Sequence, residues 1–298
     1  MDLREFMVSC GHTPPEGIEL GRIIRFPAPN KGQDNKAAWL IMFNEECAVF
    51  SDWISHEKHV WHANMDNMTH TERVTTYNEA IERAESLKKE LAQQQEDAAK
   101  RCQYILDNSK KALDSHDYLV KKSVVSFGLR WAPHLQGIDN ALIVPIYGFN
   151  DDMSLQSLQI ISPKGDKRFF KGGKKAAGFY PLQVREDKDA KILIAEGYAT
   201  AASWAMIQPN DGVYCVFDAG NLKQVAVSLR KRYPFNKIVI CADNDRMGAK
   251  NTGVLAAREA AEAADCDYIV PRFEEGEKGT DWNDWLSARG MLNMRGRG

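Results

Sequence analysis

An α/β fold is predicted, with a parallel sheet flanked by helices in the carboxyl-terminal part of the 298-residue chain. Two observations carry this. Four short apolar runs, Lys191 to Ala195, Gly212 to Phe217, Lys237 to Ala242 and Asp267 to Pro271, alternate with longer helical patterns, the rhythm of strands joined by crossover helices. Acidic residues follow the runs directly: Glu196-Gly197 after the first, Asp243-Asn-Asp245 after the third, and Gly279-Thr-Asp281-Trp-Asn283-Asp284 beyond the fourth. In open α/β sheets ligands bind beyond the carboxyl ends of the strands. Three carboxylates at one such edge repel unless a cation stands among them, and Mg²⁺ takes carboxylate oxygens while keeping positions for phosphate.

Ahead of this sheet the sequence predicts a small β-rich domain over residues 1–70, a helical linker over 71–115 and a basic lobe over 116–185, with the parallel sheet over 186–298. In the first domain, Ile18 to Phe26 reads as a strand pair ending at Pro27, and Trp39 to Phe43 with Cys47 to Phe50 as a hairpin around Asn44-Glu45-Glu46. Trp53 and Trp61 supply aromatic area for its core. Arg22, Arg25, Lys31 and Lys36 beside aromatics suit either a path for a single nucleic-acid strand or a solvated rim. His56, His59 and His62 lack the paired ligands of a structural zinc site and read as ordinary surface histidines, and Cys10-Gly-His12 is too isolated to assign.

From Thr71 to Ser115 good helix formers dominate, with Ile81, Ala84, Leu87 and Leu91 as a narrow apolar stripe, and Gln93 to Asp97 as the candidate linker. The lobe that follows predicts an antiparallel meander through Asn140 to Tyr147, Ser157 to Ile161 and Lys167 to Phe170, with turns at Asn150-Asp151 and Pro163-Lys-Gly165. Lys164, Lys167, Arg168, Lys171, Lys174 and Lys175 fall in one window opposed by Asp166 alone. Such a window is a solvated hairpin or a phosphate-holding surface. Its place before an acidic edge favours the second, with Gly172-Gly173 letting backbone approach a phosphate.

Composition sets outer bounds. The formal charge of −2 leaves no global field for nucleic acid, so such binding must come from local patches. Six cysteines without a Cys-x-x-Cys pair imply reduced thiols and a cytoplasmic protein. No apolar signal core or membrane-spanning stretch is expected.

The Glu196-Gly197, Asp243-Asn-Asp245 and Asp281-Trp-Asn283-Asp284 set resembles the TOPRIM domain of bacterial-type primases, topoisomerases and some nucleases. The wording of Glu196-Gly-Tyr-Ala-Thr-Ala-Ala, of Phe217-Asp-Ala-Gly-Asn221 and of Gly279-Thr-Asp281-Trp-Asn-Asp284 is similar to primases carried by plasmids and satellite phages. His116-Asp-Tyr-Leu, Leu-Ile-Val-Pro145 and Lys167-Arg-Phe-Phe-Lys171-Gly-Gly resemble the basic lobe before TOPRIM in those primases. The resemblance implies a DNA primase, a DNA-directed RNA polymerase joining ribonucleotides on single-stranded DNA with Mg²⁺ or Mn²⁺. It implies Glu196, Asp243 and Asp245 as catalytic residues, Glu196, Asp243, Asp245, Asp281 and Asp284 as metal ligands, and Lys167, Arg168, Lys171 and Lys174 as holders of nucleotide or template phosphate. Glu196 stays open between proton acceptor and metal ligand. The bland reading of Asp243 or Asp245 is a helix cap near Arg246, and Asp218 with Asn221 reads as a turn and cap. Neither a zinc ribbon nor a fused helicase is visible, so the expected partners are template, nucleoside triphosphates and a separate helicase, with no membrane. The alternatives are a TOPRIM nuclease, although no Gly-x-x-x-x-Gly-Lys-Ser/Thr ATPase loop occurs, or a non-catalytic single-strand-binding module.

Overall fold

The computed structural model describes residues 1–32, 35–53, 55–149, 153–246 and 251–292. The chain forms two compact units, Met1–Gln93 and Gln94–Gly298, and the boundary falls inside an unbroken helix.

The first unit opens with a helix that the β-like reading of this region does not contain, α1 (Leu3–Ser9). Its signal was in the sequence. Asp2 accepts from the Glu5 N–H at 2.8 Å while Glu5 accepts from the Asp2 N–H at 3.1 Å, a reciprocal capping box. Strands β1 (Ile23–Phe26), β2 (Ala38–Asn44), β3 (Cys47–Asp52) and β4 (Lys58–His62) follow as an antiparallel meander. The expected strand pair at Ile18 to Phe26 is one strand only. Gly21 turns the chain at φ +69°, Leu20 bridges Met42 singly and is 55% exposed, so of residues 18–22 only Ile18 packs on the core. One face of the sheet packs Phe26, Leu40 and Phe50 with α1, each such side chain contributing about 1.5–3 kcal/mol by leaving water. The other packs Trp39, Ile41, Phe43, Val49 and Val60 against Ala80 and Ala84 of α2 (His70–Asn108). The stripe predicted for that helix is partly right, because Leu91 is exposed. His12 is buried, with its ring centroid 5.6 Å from that of His59, which is half-buried and stacks on Phe50 at 4.9 Å.

The second unit holds the rest of α2, β5 (Lys110–Lys111), α3 (Asp117–Lys122), β6 (Arg130–Leu135), β7 (Ile138–Gly148), β8 (Leu155–Ile161), β9 (Lys167–Phe169) and β10 (Gly178–Gln183). There follow β11 (Ile192–Ala195), α4 (Tyr198–Ile207), β12 (Gly212–Cys215), α5 (Ala219–Arg232), β13 (Ile238–Cys241), α6 (Thr252–Ala264), β14 (Asp267–Ile269) and α7 (Trp282–Ala288). One sheet runs β14-β13-β11-β12-β10-β7-β6-β5, with β8 joining β7 to β9. Its β14-β13-β11-β12 part is parallel and the rest antiparallel. The turn at Asn150-Asp151 lies outside the described residues.

Alternation along the parallel strands shows why both faces are covered. Leu193, Ala195, Val213, Cys215, Val239 and Cys241 pack with α4 and Trp282 of α7. Ile192, Ile194, Tyr214, Val216, Ile238 and Ile240 pack with α5 and α6. Successive side chains point to opposite faces, so runs apolar at every position require a layer on each side. Among the described residues no helix is long and apolar enough to cross a membrane.

Candidate metal and phosphate site

Parallel strands bring their carboxyl ends to one edge, and β11, β12 and β13 place Glu196, Asp218 and Asp243 there. Glu196 follows β11 and leads into α4, and its carboxylate accepts from the Ala219 N–H at the start of α5. Asp243 follows β13. Its Oδ1 is buried and has no hydrogen-bond partner, a state that leaves a polar atom without its hydration. The turn is held by Asn244, whose N–H donates to Thr280 O at 2.6 Å and whose Nδ2 donates to Pro271 O at 2.9 Å. At Gly253 any Cβ would stand 2.5 Å from Asp243 O, so glycine lets α6 pack against the acidic turn.

The acids feel one another. Burial, then repulsion from Asp245 and Asp218, pushes the Glu196 carboxyl up to about 7. Burial, then Glu196, Asp281 and Asp245, pushes Asp243 to about 8. Burial also raises Asp281, against the pull of Lys122. These are the marks of charge confined without a counter-ion.

Lys167, with Lys122, is a cation that answers them. It reaches from β9 so that a Cβ on Gly197 would stand 3.6 Å from its Nζ, and its charge draws Glu196, Asp243 and Asp281 downward. Among the described residues no carboxylate lies within 4 Å of its ammonium. Arg168, the next residue, pairs with Ile160, which packs on the α2 side of the sheet; alternation sends the two cations to opposite faces. Lys171 and Lys174 are exposed in the loop after β9. Gly172-Gly173 in that loop has a packing reason: a Cβ on Gly173 would stand 2.1 Å from Ser157 Oγ.

The remaining acids have local partners. Asp245 Oδ2 accepts from the Gly253 N–H at 2.9 Å in the first turn of α6, which starts at Thr252 after an Asn251 cap rather than near Arg246. Asp281 caps α7, accepting from the Asp284 N–H at 2.8 Å. Asp284 Oδ1 meets Lys122 Nζ at 3.1 Å, and its Oδ2 accepts from the Thr280 N–H at 3.3 Å. Asn283 is buried, donating to Lys122 O and Ser203 Oγ. Asp218 Oδ2 pairs with Lys175 Nζ at 2.9 Å.

Two contributors carried little signal. Lys122, one of a basic pair ending α3, faces Asp281 and Asp284 across the fold. Asn221, read as a turn residue, ties the loop after β9 to α5: its Oδ1 accepts from the Ala177 N–H at 3.1 Å and its Nδ2 donates to Lys175 O at 2.9 Å. Among the described residues no three His, Cys, Asp or Glu side chains stand close enough together to share one metal ion. The donors still fit a hard divalent cation. They are all oxygen, they repel one another, and one buried oxygen is unpartnered.

Residues 191–291 match the family model of the Toprim domain. The acidic edge lies within the matched residues, and Lys167 reaches it from outside them. Two proteins named DNA primase TraC, both from Escherichia coli, are similar to the chain. One is 35% identical over 138 residues, 44% of this chain and 13% of that protein. The other is 36% identical over 121 residues, 40% of this chain and 8% of that protein. The chain thus spans about a tenth of the length of these relatives. Among solved structures, the primase fragment of the bacteriophage T7 primase–helicase protein overlays with a TM-score of 0.44 at 10% identity, over 90% of this chain and 95% of that one. A chain from a bacteriophage T7 lagging-strand DNA polymerase assembly with primase domains overlays with a TM-score of 0.45 at 15% identity, over 62% of this chain and 88% of that one. The Toprim match and the similarity to the two proteins named DNA primase TraC thus each cover under half of this chain.

Proposed function

We propose that the chain is a primase that joins ribonucleotides into short RNA primers on single-stranded DNA in a Mg²⁺- or Mn²⁺-dependent reaction. The observation that carries this is the half-buried carboxylate set Glu196, Asp243 and Asp281 beyond the strand ends, faced by Lys167 from β9. A divalent ion held there lowers the pKa of an attacking hydroxyl and offsets charge on the departing pyrophosphate. Asp243 and Glu196 would hold it, with Asp281 and Asp245 close by and Asp284 one step back, anchored to Lys122. Lys167 would bind triphosphate oxygens as the nucleotide enters, with Lys171 and Lys174 supplying positive charge along the loop. Arg168, on the other face of β9, would meet template backbone rather than the reacting phosphates. Glu196, with an affinity for protons near neutrality, suits acceptance of the 3′-hydroxyl proton when it is not a ligand. A cytoplasmic setting and a helicase partner complete the reading.

Incubation with single-stranded DNA, labelled ribonucleotides and Mg²⁺ tests it. Short labelled oligomers should form and should vanish with Asp243→Asn and Glu196→Gln. Cleaved DNA with no labelled product would replace the proposal with a nuclease.

A further inference from the structure

The Met1–Gln93 unit carries a cluster of cations that the acidic edge does not use. Strand register lines up Arg25, Trp39, Ser51 and Lys58 as one row across β1, β2, β3 and β4, and directly opposed residues share a sheet face. From α2, Lys88 lays its Nζ 3.4 Å from the centroid of the Trp39 ring and 5.8 Å from that of Trp53. Arg25 brings its guanidinium 5.3 Å from the Trp53 centroid. Lys58 is paired with Glu85 at 2.6 Å. Among the described residues no carboxylate lies within 4 Å of Arg25 or Lys88, so three cations face one acid.

Holding like charges together is unfavourable. Burial, followed by repulsion from Lys58 and Arg25, lowers the proton affinity of Lys88. A merely solvated rim would let these long side chains spread into water. Instead Arg25 and Lys88 converge on Trp53, which is 51% exposed just after β3. A half-exposed aromatic ring with two unpaired cations held at it offers what a nucleotide unit requires: the base stacks on the exposed part of the ring and the phosphates meet the charges.

We propose that Trp53, Arg25 and Lys88 form a binding site for single-stranded nucleic acid, one base stacking on Trp53 while the flanking phosphates lie against Arg25 and Lys88. The cations lie over a half-exposed ring at the surface, so the occupant is a strand passing across the site. This inference is independent of the metal edge, because nothing in the site needs a metal or a nucleoside triphosphate.

Fluorescence anisotropy of a labelled oligothymidylate with the full chain, in EDTA and without nucleotides, tests it apart from primer synthesis. Trp53→Ala should weaken binding by roughly ten-fold, as expected for loss of one stacked base, and Trp53→Phe should recover most of that loss. The double variant Arg25→Gln, Lys88→Gln should lower the slope of log affinity against log salt by about 1.4, the counter-ions released at two single-strand phosphate contacts. Wild-type affinity and slope in these variants would overturn the proposal whether or not the chain makes primers. It would also fall if polyglutamate, or fluorescent ATP alone, bound as tightly as the oligonucleotide and lost affinity in the same variants.

Discussion

Asp243 and Glu196 hold protons in the folded chain, near pH 8 and pH 7, that the unfolded chain releases at ordinary carboxylate values. Between those limits the native state binds more protons than the unfolded one, so stability falls as pH rises through that window and levels above about 8. Metal-free protein should therefore melt at a lower temperature at pH 8.5 than at pH 5, and Asp243→Asn should flatten that slope. At pH 8.5 the variant should melt higher than wild type, by ~2–4 °C for each kcal/mol of repulsion removed. Thermal scans in EDTA across this range decide the matter, and parallel curves for the two proteins would show that the carboxylates do not strain the fold. At this scale the sequence was informative for the acids themselves, since Glu196 and Asp243 each follow an apolar run. It was silent on their partners. Lys167 and Arg168 are adjacent and chemically alike, and only strand register separates the one facing the acids from the one facing away.

Among the elements, the loop after β9 shows how one buried polar side chain sets the position of a basic segment. Asn221 is 4% exposed and satisfies the Ala177 N–H and the carbonyls of Lys175 and Val216. Asn221→Ala leaves those groups without partners, a loss of about 1–3 kcal/mol. The midpoint of urea unfolding should fall with little change in slope, and hydrogen exchange at Ala177 should accelerate. Unchanged protection at Ala177 would mean the loop is held by something else. Parallel strands were legible because their apolar runs are continuous, and α5 and α6 because their patterns are helical. Element ends were less so. The start of α6 is fixed by Asn251 and by the close approach that Gly253 permits, both tertiary facts. The strand expected at Ile18 fails because a run of β-formers needs a neighbour and a face to bury. His12 and His59 lie far apart in sequence and meet only through the sheet.

For the whole molecule, a net charge of −2 conceals a strong separation of charge. The Toprim edge collects carboxylates, the lobe before it collects lysines, and the Met1–Gln93 unit gathers Arg25, Lys58 and Lys88. Composition predicted the need for local patches without locating them, since averages discard position. If these patches hold template while the acidic edge performs the chemistry, the two functions respond differently to metal removal. EDTA should abolish ribonucleotide incorporation while single-stranded DNA binding persists, as gel shift and incorporation assays on one sample would show. Loss of both together would mean that the metal organises the DNA contacts as well.

The most direct test of the central claim is a Mn²⁺ titration of the full chain at pH 8, followed by electron paramagnetic resonance of the free ion. Wild type should bind one or two ions, with affinity falling as pH drops through the range in which Glu196 and Asp243 take up protons. Asp243→Asn should bind at least ten-fold more weakly. Equal Mn²⁺ affinity in wild type and Asp243→Asn would contradict a cation site at the acidic edge of the Toprim domain.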